Sequence, residues 1–315
     1  MPPSSSSSPR ASRRPAPPPA ERVPEAVTSP AFSRVARFAT VGSTNDLVRG
    51  WLAEGLPEIV VATADVQTAG RGRHDRTWTA PAGAALLCSL GFRPTWLPAE
   101  RAWRVSASVA LAMCDAAEDA AGLPVGAIRL KWPNDLVVET GGPRALLVGE
   151  LSASAAAARL AAPLALRKLA GILGESEGLG TDDPRVVVGI GVNADWRAAD
   201  FPPELAGTMT SLREASGGRP IDRDGLLDGF LERLEARVDA LRAGYFDLAG
   251  WAERQATTGR LVTLEGGSDG RAQRALGVDA ATGALVVEDR HAADGERLVH
   301  AGEVTRVRLA PDQVV

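Results

Sequence analysis

The sequence predicts a mixed α/β fold, a mixed sheet flanked by helices, followed by a small β-barrel. Three observations carry this. The run RVVVGIGVN, Arg185–Asn193, is β-branched and continuously apolar, as a strand buried inside a covered sheet requires. Residues 99–121 repeat Ala, Val, Leu and Met at helical spacing with few breakers, enough for a long helix packed on that sheet. Beyond Thr258 the apolar runs shorten and are punctuated by Gly and Asp, the texture of a small all-β unit. A chain of 315 residues has room for one main domain of about two hundred residues plus such a unit.

In chain order, residues 1–33 are Ser, Pro and Ala with scattered arginines; they carry no pattern able to form a core and read as a disordered tail. They also lack the apolar centre of a secretory signal. The main domain then spans 34–257 and the small C-terminal β-barrel 258–315. Ser43 is placed to cap a helix over 44–54. The apolar run Ile59–Ala64 reads as a strand, and AALLCSLGF (84–92) as a second, buried one. GAIRLKW and LVV flank Pro133 as a strand pair around a constrained corner. Leu226, Leu227, Phe230, Leu231, Leu234 and Val238 form the apolar stripe of a later helix, whose charged residues over 222–242 face solvent. RLVTLEGG, RALGVDAATGALVVED and EVTRVRL supply the strands of the barrel. No internal repeat is present.

Composition narrows the function. A formal charge of −4 argues against general affinity for nucleic acid, which needs clustered Lys and Arg. No apolar run approaches the roughly twenty residues of a membrane helix, so no membrane association is expected. Cys88 and Cys114, the only two cysteines, lie in apolar runs without metal-ligand spacing and read as buried thiols of a reducing cytoplasm. His291 and His300 read as exposed polar residues, and Trp96, Trp103, Trp196 and Trp251 as packing residues.

One stretch stands apart. QTAGRGRHDRTW, residues 67–78, puts Arg71, Arg73, Arg76 and His74 beside Gly70 and Gly72. Glycines let backbone N–H groups approach a ligand, and with flanking arginines they form a cradle for phosphate or carboxylate; a solvated Arg-rich turn is the plain alternative. The spacing is not that of a Walker loop. A loop of this kind is expected to stay mobile until filled.

Four further motifs accompany it: GSTN (42–45), KWPND (131–135), KLAG (168–171) and GIGVN (189–193). In this order, with QTAGRGR, they resemble the biotin protein ligases, in the form without an N-terminal DNA-binding domain. The resemblance implies a class II synthetase-like catalytic domain with an SH3-like barrel. It implies a cytoplasmic biotin–[biotin carboxyl-carrier protein] ligase, monomeric or a homodimer. Such an enzyme joins biotin to ATP with Mg2+, forming biotinyl-5′-AMP, and passes biotin to a lysine of a biotin carboxyl carrier domain. Ser43, Thr44 and Gln67 match the positions that contact the ureido ring. Asn45, Gly70, Arg71, Gly72, Arg73, Lys168 and Gly171 complete the biotin set. Trp78 matches the aromatic beside the adenine and Asn193 the partner of its edge, with Arg73, Lys131, Asn134 and Lys168 also on the nucleotide. Arg71, Arg73, Lys168 and Asp135 carry the chemistry, with Asp135 near the metal or the incoming lysine; no protein-only metal site is implied. The chemistry agrees: both reactants are anions, and a carboxylate is already nucleophilic at neutral pH, so the reaction needs cations rather than a base. The mixed anhydride hydrolyses readily, which asks the 67–78 loop to close over it.

Three departures from the family pattern matter. Asp75 stands where a glycine is frequent, which stiffens the far end of the loop. Asp135 and Lys168 are separated by 32 residues, with an Ala-rich insertion over 139–167; LLVGELS (146–152) echoes the lysine motif but has no lysine, so Lys168 keeps the role. Where relatives carry a winged helix there is only the Pro/Ser tail, so no DNA binding is expected. Two other readings remain: a lipoate ligase or octanoyltransferase-like acyl transferase, and a non-catalytic biotin-sensing regulator.

Overall fold

The computed structural model describes residues 31–141, 152–154, 157–158, 164–266, 271–304 and 306–309; nearly all of the Pro/Ser tail, and all of LLVGELS but Ser152 with most of the Ala-rich insertion, lie outside them. The main sheet has seven strands: β1 (Arg34–Val41), β2 (Val60–Gln67), β3 (Ala85–Phe92), β4 (Ile128–Lys131), β5 (Asp135–Thr140), β6 (Ala165–Glu177) and β7 (Arg185–Asn193), in the order β1-β2-β3-β7-β6-β5-β4. β1 and β2 run parallel, joined by the crossover helix α1 (Thr44–Ala53); every other pairing is antiparallel. The apolar run around Val188 thus occupies the centre of the sheet, as its composition requires.

The long helix is α2 (Trp103–Ala121), ended by Gly122 at φ 57°; glycine takes that left-handed cap without strain. After the short helices α3 (Pro203–Ala206) and α4 (Leu212–Ala215), helix α5 (Arg223–Arg242) starts where Asp222 accepts the N–H of Asp224. A further short helix, α6 (Leu248–Glu253), follows. Helices α2 and α5 cover one face of the sheet, with Val109, Met113, Phe230 and Leu234 among the buried residues. α1 covers part of the other face through Val48, Trp51 and Leu52. Trp103 and Trp251 lie 4.8 Å apart and Trp196 stacks on Phe201 at 4.3 Å, the packing roles expected of them. Cys88 and Cys114 are both buried, and burial pushes the Cys88 thiol up to about 12. No described helix is long and apolar enough to cross a membrane.

The C-terminal unit is a five-stranded antiparallel sheet, β8 (Leu261–Glu265), β9 (Ala272–Val278), β10 (Leu285–Glu288), β11 (Glu296–Val299) and β12 (Arg306–Leu309), in the order β11-β10-β9-β8-β12 around its own apolar core.

Several expectations are corrected. The strand β1 was not anticipated, because Arg34 and Arg37 interrupt its apolar run; only its position beside β2, with Arg37 reaching Asp224, reconciles them. Phe32, inside the expected tail, is buried in the main core. Ser43 precedes α1 in extended conformation but its side chain makes no capping bond. The insertion is narrower than 139–167: β5 continues to Thr140 and β6 begins at Ala165, which pair with each other.

Candidate active site

A cavity of about 560 Å³ opens on the α1 face of the sheet. Its floor is where the glycines of two motifs meet, Gly171 of β6 paired with Gly191 of β7. A Cβ on Gly191 would lie 2.6 Å from the Trp78 ring, and one on Gly189 would overlap Asn45 Oδ1. The alternation Gly189, Gly191 on one face of a strand otherwise built from β-branched residues therefore exists to admit an indole and an amide against the sheet.

At one end of the cavity the polar residues are linked. Gln67 Oε1 accepts the Thr44 N–H at 2.8 Å and the Thr44 hydroxyl at 3.1 Å. Ser89 Oγ lies 2.7 Å from Thr44 Oγ1 and 2.6 Å from Asn45 Oδ1, and Asn45 Nδ2 donates to Glu175 at 2.7 Å. Ser89 has one proton for two acceptors, so the chain can re-form around an arriving donor or acceptor. Ser43, Thr44, Asn45 and Ser89 are all buried.

The same cavity also holds a partly buried ion pair. Lys168 Nζ lies 2.6 Å from Asp135 and 5.4 Å from the centre of the Trp78 ring. A bulge in the β5–β6 pairing creates this geometry: Leu136 pairs with Ala170 but Val137 with Lys168, so Lys168 and Gly171, three residues apart, share the cavity face. Asn134 is fixed to β6 by a bond from its Nδ2 to Ile172 O and one from Ile172 N to its own carbonyl. Burial pushes the Lys131 ammonium below the usual lysine range, against the opposing pull of Asp135; an anion arriving there would pull it back up.

The 67–78 segment is a closed hairpin: Arg71 pairs with Thr77 and Gly72 N–H donates to Arg76 O at 2.6 Å. His74 and Asp75 hold φ of 54° and 56°, so Asp75 does adopt the conformation a glycine takes most readily. Gly70 is closed in by the Trp78 carbonyl, which leaves no room for a Cβ. Arg71 reaches Asp46 at 2.7 Å and Glu175 at 3.4 Å, and Arg49 binds the same two carboxylates. The Arg71 bond holds the Asp46 carboxyl below the usual range. Arg73 donates to Asn134, to Val304 O at 2.9 Å and to Ala301 O, lashing the hairpin to the C-terminal unit. Its burial lowers the guanidinium's affinity for its proton.

Of the residues expected at the site, Ser43, Thr44, Asn45, Gln67, Arg71, Gly72, Arg73, Trp78, Lys131, Asn134, Asp135, Lys168 and Gly171 all line the cavity. Two do not. Gly70 supports the hairpin from behind, and Asn193 is fully buried, its Nδ2 bonded to Thr210 O and its Oδ1 without a partner. Others were missed. Ser89 had a signal, a lone hydroxyl in an apolar strand; Arg306 and Arg308 alternate along β12 and add positive charge from the C-terminal unit. Glu175 had none, since only the pairing of β6 with β7 brings it near Arg71.

A glycine-floored sheet, a cationic hairpin and a lysine–aspartate pair meet in one cavity beside a small β-unit, a site whose cations suit an anionic ligand. The family described as "Biotin/lipoate A/B protein ligase family" matches residues 38–193. The biotin--[acetyl-CoA-carboxylase] ligase of Mycobacterium tuberculosis is 32% identical over 235 residues, 73% of this chain and 75% of that protein. The protein of the same name from Paracoccus denitrificans is 30% identical over 257 residues, 80% of this chain and 92% of that one. The biotin protein ligase of Aquifex aeolicus, solved in complex with biotin and ATP, superposes with a TM-score of 0.65 at 22% identity, over 89% of this chain and 100% of that one, and shares the fold. The chain belongs to the biotin protein ligases of this family.

Proposed function

We propose that the protein condenses biotin with ATP to biotinyl-5′-AMP and transfers biotin to a lysine of a biotin carboxyl carrier domain. The observation that carries this reading is the single cavity that joins a hydrogen-bonding end, Thr44, Gln67 and Ser89, to a cationic end around Lys168. A fused bicyclic urea is the kind of group that satisfies the first end, and a carboxylate beside a phosphate the second.

In the first step a carboxylate oxygen of biotin attacks the α-phosphorus and the bond to the β-phosphate breaks, releasing pyrophosphate. Lys168 is positioned to neutralise the two converging anions, with Arg71 and Arg73 on the hairpin above. To reach them, Arg71 must exchange Asp46 and Glu175 for the ligand, and that exchange couples hairpin position to occupancy. In the second step the amine of the carrier lysine attacks the acyl carbon, AMP leaves, and the amine's proton passes to Asp135 or water. Magnesium would enter with the nucleotide: among the described residues no group of three or more His, Cys, Asp or Glu is arranged to hold an ion, so phosphate oxygens with Asp135 would ligate it.

Incubation with biotin, MgATP and a carrier domain should leave covalently attached biotin; an unlabelled carrier beside intact reagents would end the proposal. The lipoate alternative fits less well, because an aliphatic acyl chain would leave the Thr44–Gln67–Ser89 polar chain unmatched in a buried end. Lipoate should therefore fail to compete with biotin for adenylation. Ser89→Ala should raise the KM for biotin by about tenfold with little change in kcat, as expected of a binding contact made equally in ground and transition states. Saturating biotin and MgATP should also slow tryptic cleavage at Arg71, Arg73 and Arg76; cleavage indifferent to ligand would remove the closing hairpin from the account.

A further inference from the structure

We infer that Glu139 is a positioning residue: one buried carboxylate oxygen binds Arg129 of the main sheet and Arg260 of the C-terminal unit, and so sets where that unit places Arg306 and Arg308 in the cavity. This rests on the ligase reading above. Glu139 lies on β5 four residues after Asp135, and strand alternation puts both on one face with Val137. Its side chain is 2% exposed. Oε1 accepts Arg129 Nη1 at 3.0 Å and Arg260 Nη2 at 2.9 Å.

Both arginines are themselves fixed. Arg129, on β4, also donates to the Glu253 and Gln255 carbonyls at 3.2 and 2.9 Å. The chain leaving α6 is laid along β4 by bonds from Leu130 N–H to Arg254 O and from Ala256 N–H to Leu130 O, both 2.7 Å. On the other face of β4, toward α2, Glu118 accepts Arg254 at 2.7 Å. The linker is therefore held from both faces of the edge strand. Arg260 then enters the C-terminal sheet: its carbonyl accepts the Ala275 N–H at 2.9 Å, and β8 begins at the next residue. β8 pairs with β12, Arg306 opposite Glu265 and Arg308 opposite Thr263, and both arginines line the cavity. From Glu139 to those cations the path is one ion pair and one strand pairing.

Stability alone does not account for this arrangement. Glu139 Oε2 and Arg260 Nη1 are buried and without partners among the described residues. A buried pair left partly unsatisfied loses in desolvation much of what it gains in attraction, and apolar side chains of similar volume would hold the junction as well. What a charged hydrogen bond adds is direction. An apolar contact resists separation of two units but lets them slide, whereas Oε1 admits the guanidinium along a narrow approach. Thr44, Gln67 and Ser89 lie on α1, β2 and β3, and β7 and β6 stand between those strands and β5. A shift of the C-terminal unit therefore reaches the cations that meet a polyphosphate before it reaches the biotin contacts.

The test is the biotin-dependent exchange of pyrophosphate into ATP by the full-length protein. Glu139→Gln should raise the KM for ATP by about tenfold and leave the Kd for biotin, measured directly, unchanged. Arg260→Gln keeps the Glu139–Arg129 pair and breaks only the link between the units, and it should show the same selective rise. The double variant should match Glu139→Gln alone, because both substitutions remove one interaction. Biotin binding shows that each variant is folded. A lower melting temperature with an unchanged KM for ATP would make the pair purely structural and overturns the inference. Equal losses of ATP and biotin affinity overturn it too, as does a double variant in which the two defects multiply. Exchange by the wild type separates the two levels: if it occurs and the variants are normal, only the positioning role is lost, whereas a wild type without exchange removes the ligase reading and the inference with it.

Discussion

A Lys168→Met variant is expected to bind biotin yet form the adenylate on the order of a hundred- to a thousandfold more slowly, the usual consequence of removing one preorganised charge from a transition state. Methionine keeps the volume and flexibility of the lysine stem, so the floor around Gly171 and the Trp78 ring stays packed. What disappears is the charge that screens a carboxylate approaching an α-phosphate. The substitution also strands Asp135, 2.6 Å from the lost ammonium, and an unpaired carboxylate at that point would itself repel both substrates. The companion double variant Lys168→Met with Asp135→Asn separates these effects. If repulsion by Asp135 were the whole defect, the double variant would recover exchange; if the ammonium stabilises the transition state, it would stay slow in adenylation and be slow in carrier transfer too. Wild-type exchange by the single variant would remove Lys168 from the reaction.

The pair itself shows which parts of the site a sequence can carry. Both residues belong to short motifs whose chemistry is local, a proline corner and a lysine followed by a small-residue strand. Their meeting depends on the bulge at Leu169, which leaves no local mark and which the Ala-rich stretch before it obscured. Other losses share this cause. Glu175 and Asp46 hold Arg71, but the first lies on β6, three strand pairings from the β2 that leads into the hairpin, and its acidic type alone says nothing of its partner. Arg73 is expected at the ligand with Arg71 and Lys168; that it also spends donors on Ala301 and Val304 follows from where the C-terminal unit sits, which no local motif records. Asn193 shows the converse: the motif was legible, but the side chain is tied to Thr210 beneath the cavity wall rather than displayed within it. Local propensity and motif chemistry were readable; register, bulges and contacts between distant strands were not.

Docking of the C-terminal unit turns on the tryptophan of KWPND, and Trp132→Ala should destabilise the protein by about 3–5 kcal/mol. Its ring does not pack in the main core. It lies in the core of the small sheet with Val262, Leu264 and Val287, while Nε1 donates to Gly283 O at 3.0 Å. Trp132 is thus a plug from the catalytic corner into the neighbouring unit, and it adjoins Lys131, Asn134 and Asp135 in sequence. Truncation would open a cavity at the junction and loosen the carbonyls that Arg73 grips. Two readouts follow. Thermal melting should fall by many degrees, and the segment near Arg260, which joins the two units and is tied back to the main sheet by its pairing with Glu139, should become cleavable under native conditions. Adenylation should weaken through Arg73 even well below the melting temperature. Trp132→Phe keeps the plug but not the Gly283 bond and should fall between the two. A Trp132→Ala protein with wild-type melting and wild-type exchange would mean the small unit is an appendage rather than one wall of the site.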